Sequence, residues 1–279
     1  MLDLGGSLTE DIRALKKGVG FVTQPDTRVF AVANQKGGVG KTTTTINLAA
    51  CMAQLDRRVL IVDLDPQANA TGGLGIDSRM VDHSIYDVLL EEFPLEDAVE
   101  PASVKNLYIV PSSLHLAGAE VELVTAMNRE RKLKNALDAV DDDYDVVFID
   151  CPPSLGLLTI NGLTAAREVL VPVQAEYYAL EGLGLLIRNI DLVKRNLNPD
   201  LHLSTIVLGM VDARTKLSKQ VSEEVRSHFG DKVCRQVIPR AVRLSEAPSF
   251  GLPISVFDPG SRAATAYRTL AKEVLDGET

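Results

Sequence analysis

One segment constrains the fold more than any other, Lys36-Gly37-Gly38-Val39-Gly40-Lys41-Thr42-Thr43. The apolar run Val29-Phe30-Ala31-Val32-Ala33 precedes it and Ile46-Asn47-Leu48-Ala49-Ala50 follows it. The first reads as a buried strand and the second as a helix. Strand, glycine loop, Lys-Thr and helix is the setting in which backbone N–H groups and a helix N-terminus cradle phosphates. Gln35 takes the first glycine position of the strict pattern, and Lys36 adds a second lysine. One lysine already reaches the β- and γ-phosphates, so the second needs another task. Gly37, Gly38 and Gly40 let the backbone approach the phosphates where a Cβ would interfere. Lys41 is expected on the β- and γ-phosphates, the Thr42 hydroxyl on Mg²⁺, and Thr43 nearer the α-phosphate.

Further strands follow the first. Arg58–Asp63, Leu107–Val110, Asp145–Asp150, Glu168–Val173 and Ser204–Met210 are continuous Val/Ile/Leu-rich runs. Such runs mark strands buried on both faces. Glu120–Ala139, Gly182–Arg195 and Leu217–Phe229 read as the intervening helices. The alternation predicts an α/β fold, a doubly wound and mostly parallel sheet flanked by helices, with its ligand beyond the carboxyl ends of the strands. Residues 29–279 read as a single domain. Residues 1–28 read as an N-terminal arm in which Ser7–Lys17 forms a short helix, either frayed or serving as a small dimer or DNA contact.

Composition removes several classes. No apolar run approaches the roughly 18–20 residues needed to span a membrane. The start, Met1-Leu2-Asp3-Leu4-Gly5-Gly6, lacks the pattern of a signal peptide, which predicts a cytoplasmic protein. Three dispersed cysteines, Cys51, Cys151 and Cys234, form no CxxC, which argues against a disulfide framework or a zinc site. The four histidines are scattered, and with no Trp there is no aromatic platform for single strands. The net charge of −9 does not advertise a nucleic-acid binder, yet Asp212–Arg243 holds eight Lys/Arg against four Asp/Glu. Local basic density of this kind fits a phosphate footprint or a solvated helix face.

Two strands end in carboxylates. Asp150 closes its strand before two prolines, a place that in P-loop enzymes holds the Mg²⁺ ligand sphere. Asp63 and Asp65 are both offered at another strand end, before Pro66. With Asp63-Leu64-Asp65-Pro66-Gln67, Asp150-Cys151-Pro152-Pro153, Asp212-Ala213-Arg214-Thr215 and Ile238-Pro239-Arg240…Arg243-Leu244-Ser245-Glu246-Ala247-Pro248, the glycine loop makes an ordered set. This set closely resembles the ParA/Soj chromosome-partitioning ATPases, members of the deviant Walker A class of P-loop ATPases, over roughly residues 28 to 275. The resemblance implies ATP and Mg²⁺ as cofactors and slow, partner-stimulated hydrolysis. It implies that Asp65 positions the attacking water, that Asp63 supports the Mg²⁺ side, and that Lys36 reaches the partner's nucleotide in an ATP-bound homodimer. Met210, Asp212, Pro239 and Arg240 lie where relatives hold the adenine. Arg214, Lys216, Lys219, Arg240, Arg243 and Arg262 are the residues offered to non-specific double-stranded DNA. A ParB-type centromere-binding protein is the implied stimulator, and the nucleoid the implied location.

A membrane-cycling division regulator of the MinD type is the alternative. That function relies on a basic, amphipathic C-terminal helix. The end of this chain finishes acidic and reads as a helix packed on the domain, so no membrane partner is expected.

Overall fold

Buried hydrophobic strands build the centre of the molecule. The computed structural model describes residues 27–140, 143–176, 179–212 and 214–277. The arm reading for residues 1–28, with its Ser7–Lys17 helix, therefore lies almost wholly outside the described residues. In chain order the elements begin with β1 (Arg28–Val32), α1 (Lys41–Ala53), β2 (Val59–Asp63), α2 (Asn69–Gly73) and α3 (Ile85–Leu90). Then come β3 (Glu100–Pro101), β4 (Leu107–Val110), α4 (Leu116–Glu122), α5 (Lys132–Leu137) and β5 (Val146–Asp150). The chain closes with α6 (Leu157–Ala165), β6 (Glu168–Gln174), α7 (Ala179–Asn196), β7 (His202–Gly209), α8 (Lys216–Phe229), α9 (Val242–Glu246), α10 (Ile254–Phe257) and α11 (Arg262–Asp276).

The seven strands pair in the order β3-β4-β2-β5-β1-β6-β7. All pairings are parallel except that of the edge strand β3 with β4. Every residue of β2 and β5 is buried, which is why these strands read as unbroken apolar runs. The alternating side chains divide between two cores, one on each face. Leu60, Val62 and Ile149 belong to one; Phe30, Ile61 and Phe148 belong to the other, with Phe30 and Phe148 stacked at 5.3 Å. The order also fixes the site. After β1 the chain goes to β2 and leaves a gap that β5 later fills, so Asp150 pairs in register with both Val32 and Asp63. The glycine loop and two carboxylates thereby emerge side by side where the strand order reverses, the place at which ligands of such sheets bind.

The last helix, α11, is amphipathic. Its Ala263, Tyr267, Leu270, Ala271 and Val274 are buried in the core shared with α1. Removing a side chain such as Leu270 from this contact would cost on the order of 2–5 kcal/mol. Its apolar face is spent on the domain.

The long helix expected over Glu120–Ala139 is broken. Helix α4 passes into a single 3-10 turn at Leu123–Thr125, and the chain resumes helix only at Lys132. Asn128 adopts a left-handed φ of 52°. Asn161 of α6 bridges the break, donating to the Arg129 carbonyl at 2.7 Å and accepting from the Leu133 N–H at 3.2 Å. A tertiary bracket thus satisfies backbone groups that a continuous helix would have paired internally.

Candidate nucleotide site and basic surface

The loop between β1 and α1 is built on glycine conformations. Gly38 and Gly40 have φ of 73° and 90°, left-handed values that favour glycine. Gly37 is different: its backbone is not left-handed, and a Cβ there would meet nothing within 4 Å. Val39 is buried and anchors the loop, while Lys36, Gly37 and Gly38 are exposed at its crest. Helix α1 then starts at Lys41 with Gly40 at its N-cap and no side-chain cap, so its first N–H groups are left for an anion.

Lys41, Thr42, Thr43 and Asp65 line one cleft of about 440 Å³, together with Met210 and Pro248. Lys41 is 7% exposed. Burial lowers the pKa of its ammonium, and the nearby Asp150 charge opposes that shift. Thr42 Oγ1 donates to Asp150 Oδ2 at 2.7 Å, and Thr45 Oγ1 donates to Asp150 Oδ1 at 2.9 Å. Asp150 is fully buried, and burial followed by the Asp63 charge pushes its carboxyl far above the ordinary range. Asp63 is also fully buried and raised by burial, although Thr71 and the Asp65 N–H donate to it. Both Asp63 oxygens are taken, Oδ2 by Thr71 and Oδ1 by the Asp65 N–H. Asp65 keeps a place on the cleft wall, with Oδ1 accepting from the Gln67 N–H at 2.9 Å.

Thr42 and Asp150 fit a divalent cation. Two adjacent buried carboxyls facing little but hydroxyl and amide donors are what a dication beside them would relieve. Among the described residues no group of three or more His, Cys, Asp or Glu could hold a metal ion. Mg²⁺ is commonly bound by one or two carboxylates plus phosphate oxygens and water.

Lys36 is engaged elsewhere on its own chain. Its Nζ lies 2.8 Å from Glu176 Oε2, just past β6, and both side chains are 46% exposed. Such a half-exposed pair is worth about 1 kcal/mol or less, so Lys36 can leave it cheaply.

Of the four adenine candidates, Met210 alone lines the cleft. It holds a φ of 52°, and its Cε stands 3.9 Å from where a Gly40 Cβ would be. Left-handed backbone is uncommon in a residue other than Gly, Asn or Asp, so this turn is imposed by its surroundings. The others follow Met210 on paired chain: Val211 bridges to Pro239, and the Arg240 N–H donates to the Val211 carbonyl at 3.2 Å. Asp212 is engaged by Arg214, whose Nε and Nη2 donate to its two oxygens at 3.0 and 2.9 Å and hold its carboxyl down to about 2. The far wall of the cleft, Ala247, Pro248 and Leu252, carried no assigned role in the sequence reading. The Ala247-Pro248 pair that closes the last motif was its only signal.

Three of the basic residues are tied to that bridge: Arg214 and Arg240 through Asp212, and Arg262 through a groove it shares with Pro239. Arg214 precedes α8, Lys216 and Lys219 lie on its first turns, and all three are exposed. Arg240 is close enough for its charge to act on Asp212. Arg262 lines a groove with Pro239 at the start of α11. Arg243, on α9, is tied to Glu246 at 2.9 Å and Asp258 at 3.2 Å and lies over the Phe257 ring.

Fold and cleft together define a P-loop nucleotide-binding protein with a second, exposed lysine on its loop. Comparison with known proteins narrows this further. A family model described as an AAA domain matches residues 27–203. The sporulation initiation inhibitor protein Soj of Bacillus subtilis is 55% identical over 88% of this chain and 98% of its own length. The chromosome partitioning protein ParA of Myxococcus xanthus is 50% identical over 90% of this chain and 89% of its own. Among solved structures, one titled cobyrinic acid a,c-diamide synthase from Mycobacterium smegmatis with bound ADP and magnesium is 41% identical, with a TM-score of 0.79 over 89% of this chain and 94% of that one. The chain belongs to the Soj/ParA family of chromosome-partitioning ATPases.

Proposed function

We propose that this protein is an ATP-switched DNA-partitioning ATPase: ATP joins two copies, the dimer holds duplex DNA without sequence preference on the nucleoid, and hydrolysis stimulated by a ParB-type protein releases it. One observation carries the reading. The nucleotide cleft and the basic surface meet at a single turn, where Met210 lines the cleft and the next residue, Val211, is bridged to Pro239 beside Arg240. A change at the loop therefore has a short physical route to Arg214 and Arg240.

In this reading Lys41 and the α1 N-terminus bind the phosphates. Mg²⁺, when bound with ATP, neutralises charge on the β- and γ-phosphates, and Thr42 and Asp150 would hold it. Asp65 orients the attacking water, and Asp63 supports the Mg²⁺ side while its carboxylate accepts the Asp65 N–H. Met210, Asp212, Pro239 and Arg240 surround the base. Lys36 leaves Glu176 for the partner's nucleotide, which makes ATP part of the interface. ATP then favours the dimer through its differential affinity for that state. Arg214, Lys216, Lys219, Arg240, Arg243 and Arg262 supply phosphate contacts, which position a protein on DNA and carry no sequence code.

The membrane-cycling alternative has less support. Among the described residues no helix is long and apolar enough to cross a membrane. The apolar face of α11 is covered by the core and is not free to enter a lipid surface. Co-sedimentation with ATP separates the two readings. The protein should pellet with duplex DNA of any sequence and stay in solution with anionic liposomes; the reverse pattern would overturn the proposal.

A further inference from the structure

Asp65 lies in a loop, two residues past the end of β2 and directly before Pro66. Phosphoryl transfer depends on positioning more than on base strength, so a loop carboxylate is useful only if something fixes it. The structure contains a closed ring of hydrogen bonds around this residue. The Asp65 N–H donates to Asp63 Oδ1 at 3.2 Å. Asp63 Oδ2 accepts from the Thr71 N–H at 2.8 Å and from Thr71 Oγ1 at 2.7 Å. Thr71 Oγ1 in turn accepts from the Ser112 N–H at 2.9 Å, and Ser112 Oγ donates to the Asp65 carbonyl at 2.8 Å. Asp63, Thr71 and Ser112 are 0% exposed and Asp65 is 7% exposed.

The mount itself is firm. Ser112 follows β4, where the Pro111 carbonyl accepts from the Ile85 N–H at 2.9 Å and Ser113 Oγ meets Ser84 Oγ at 3.0 Å. The N-terminus of α3 therefore pins the segment that holds Asp65. Thr71 brings in α2. With its peptide fixed on both sides and Oδ1 taken by the Gln67 N–H, the Asp65 carboxylate has little freedom except at the oxygen left for the cleft.

We propose that Thr71 and Ser112 are positioning residues of the hydrolysis step, holding the Asp65 backbone from opposite sides so that its carboxylate stands where the attacking water must be oriented. This rests on the reading of Asp65 as the water-positioning carboxylate. The Thr71 hydroxyl is both donor and acceptor in the ring, so Thr71→Val deletes two links at nearly constant volume and Thr71→Ser keeps both. Ser112→Ala deletes only the link to the Asp65 carbonyl and leaves the Ser112 N–H in place. A displacement of about 1 Å is enough to slow such chemistry by about 100-fold, and a smaller one by correspondingly less.

The test is steady-state ATP hydrolysis with Mg²⁺ and DNA, beside ATP affinity, dimer formation and thermal unfolding for each variant. Ser112→Ala and Thr71→Val should lower kcat by about 10- to 100-fold while KM for ATP and the ATP-dependent dimer stay within about twofold. Thr71→Ser should recover most of the rate. In an Asp65→Ala background, Ser112→Ala should have no further effect, because the group it positions is gone. Wild-type kcat in both single variants would overturn the proposal. So would loss of ATP affinity or of cooperative unfolding in step with kcat in Ser112→Ala, since that pattern belongs to a merely structural contact. Asp65→Ala turning over at the wild-type rate would instead remove the underlying assignment.

Discussion

At the scale of single residues, the site is governed by charge held out of water. Asp63 and Asp150 stand opposite each other in the register of β2 and β5, both fully buried. Burial raises the Asp150 carboxyl to about 7, with the Asp63 charge adding to the rise. The folded chain without nucleotide therefore keeps a proton that the unfolded chain has already released. Stability from this source is present below the unfolded value of about 3.9 and is lost as pH rises through the folded one. Asp150→Asn removes one of the pair's two titrating carboxyls, leaving Asp63, while keeping an acceptor for Thr42 or Thr45. Thermal unfolding profiles of the nucleotide-free proteins should diverge between about pH 4 and pH 7, the variant gaining on the wild type as pH rises. Parallel profiles would show that Asp150 ionises in the folded chain as easily as in the unfolded one. Mg²⁺ with ATP favours the ionised carboxylates, so its stabilising effect on the wild type should grow over the same window.

At the scale of elements, the glycine loop separates binding from association. Gly38 and Gly40 are bound to left-handed backbone, whereas a side chain at Gly37 would enter open space. Gly37→Val should therefore fold and bind ATP with near wild-type affinity yet remain monomeric, because the branched side chain projects where a second copy must approach. Calorimetry and sizing on one preparation check this, and an ATP-dependent Gly37→Val dimer would contradict it. The basic elements give a second expectation. Arg214 and Arg243 are exposed and paired with carboxylates on their own chain, and water and salt screen exposed pairs of this kind so that they are held weakly. They can exchange those partners for phosphates. Arg214→Ala and Arg243→Ala should each weaken DNA binding on any duplex, lowering the log–log salt slope by roughly 0.9 per phosphate contact removed, with the ATP-dependent dimer intact. Wild-type affinity and slope in both variants would move the DNA surface elsewhere.

The elements also show what the sequence made legible. The strands were readable because strands covered on both faces are continuous apolar runs: Val146–Asp150 and Leu107–Val110 are found within a residue of where the pattern puts them. The phosphate loop was readable because its chemistry is contiguous in the chain. Three kinds of feature were not. The break after α4 depends on Asn161, which lies 32 residues from the Arg129 carbonyl it satisfies. The short helix α2 starts after Ala68, a residue in left-handed conformation that no local propensity announces. The ring around Asp65 joins residues 71 and 112, which become neighbours only when β4 pairs with β2. Local patterns report local structure, whereas these features are created by the order of strands in the sheet.

At the scale of the whole molecule, the account makes a nucleotide into a switch between two assembly states. The chain carries a net charge of −9, so a single copy has weak general attraction for DNA despite its basic turn. Two copies joined through ATP double the phosphate contacts on one surface, and affinity for DNA should follow the state of the nucleotide. In the proposed dimer Lys36 from the other copy would complete each site, so that hydrolysis and association would share one interface. Size-exclusion chromatography with ADP, with ATP and with a non-hydrolysable ATP analogue, each repeated with duplex DNA, tests this most directly. The account predicts a monomer with ADP, a dimer with the analogue, and co-elution with DNA only where the dimer forms. A single assembly state with all three nucleotides, or equal DNA binding by the ADP-bound protein, would contradict it.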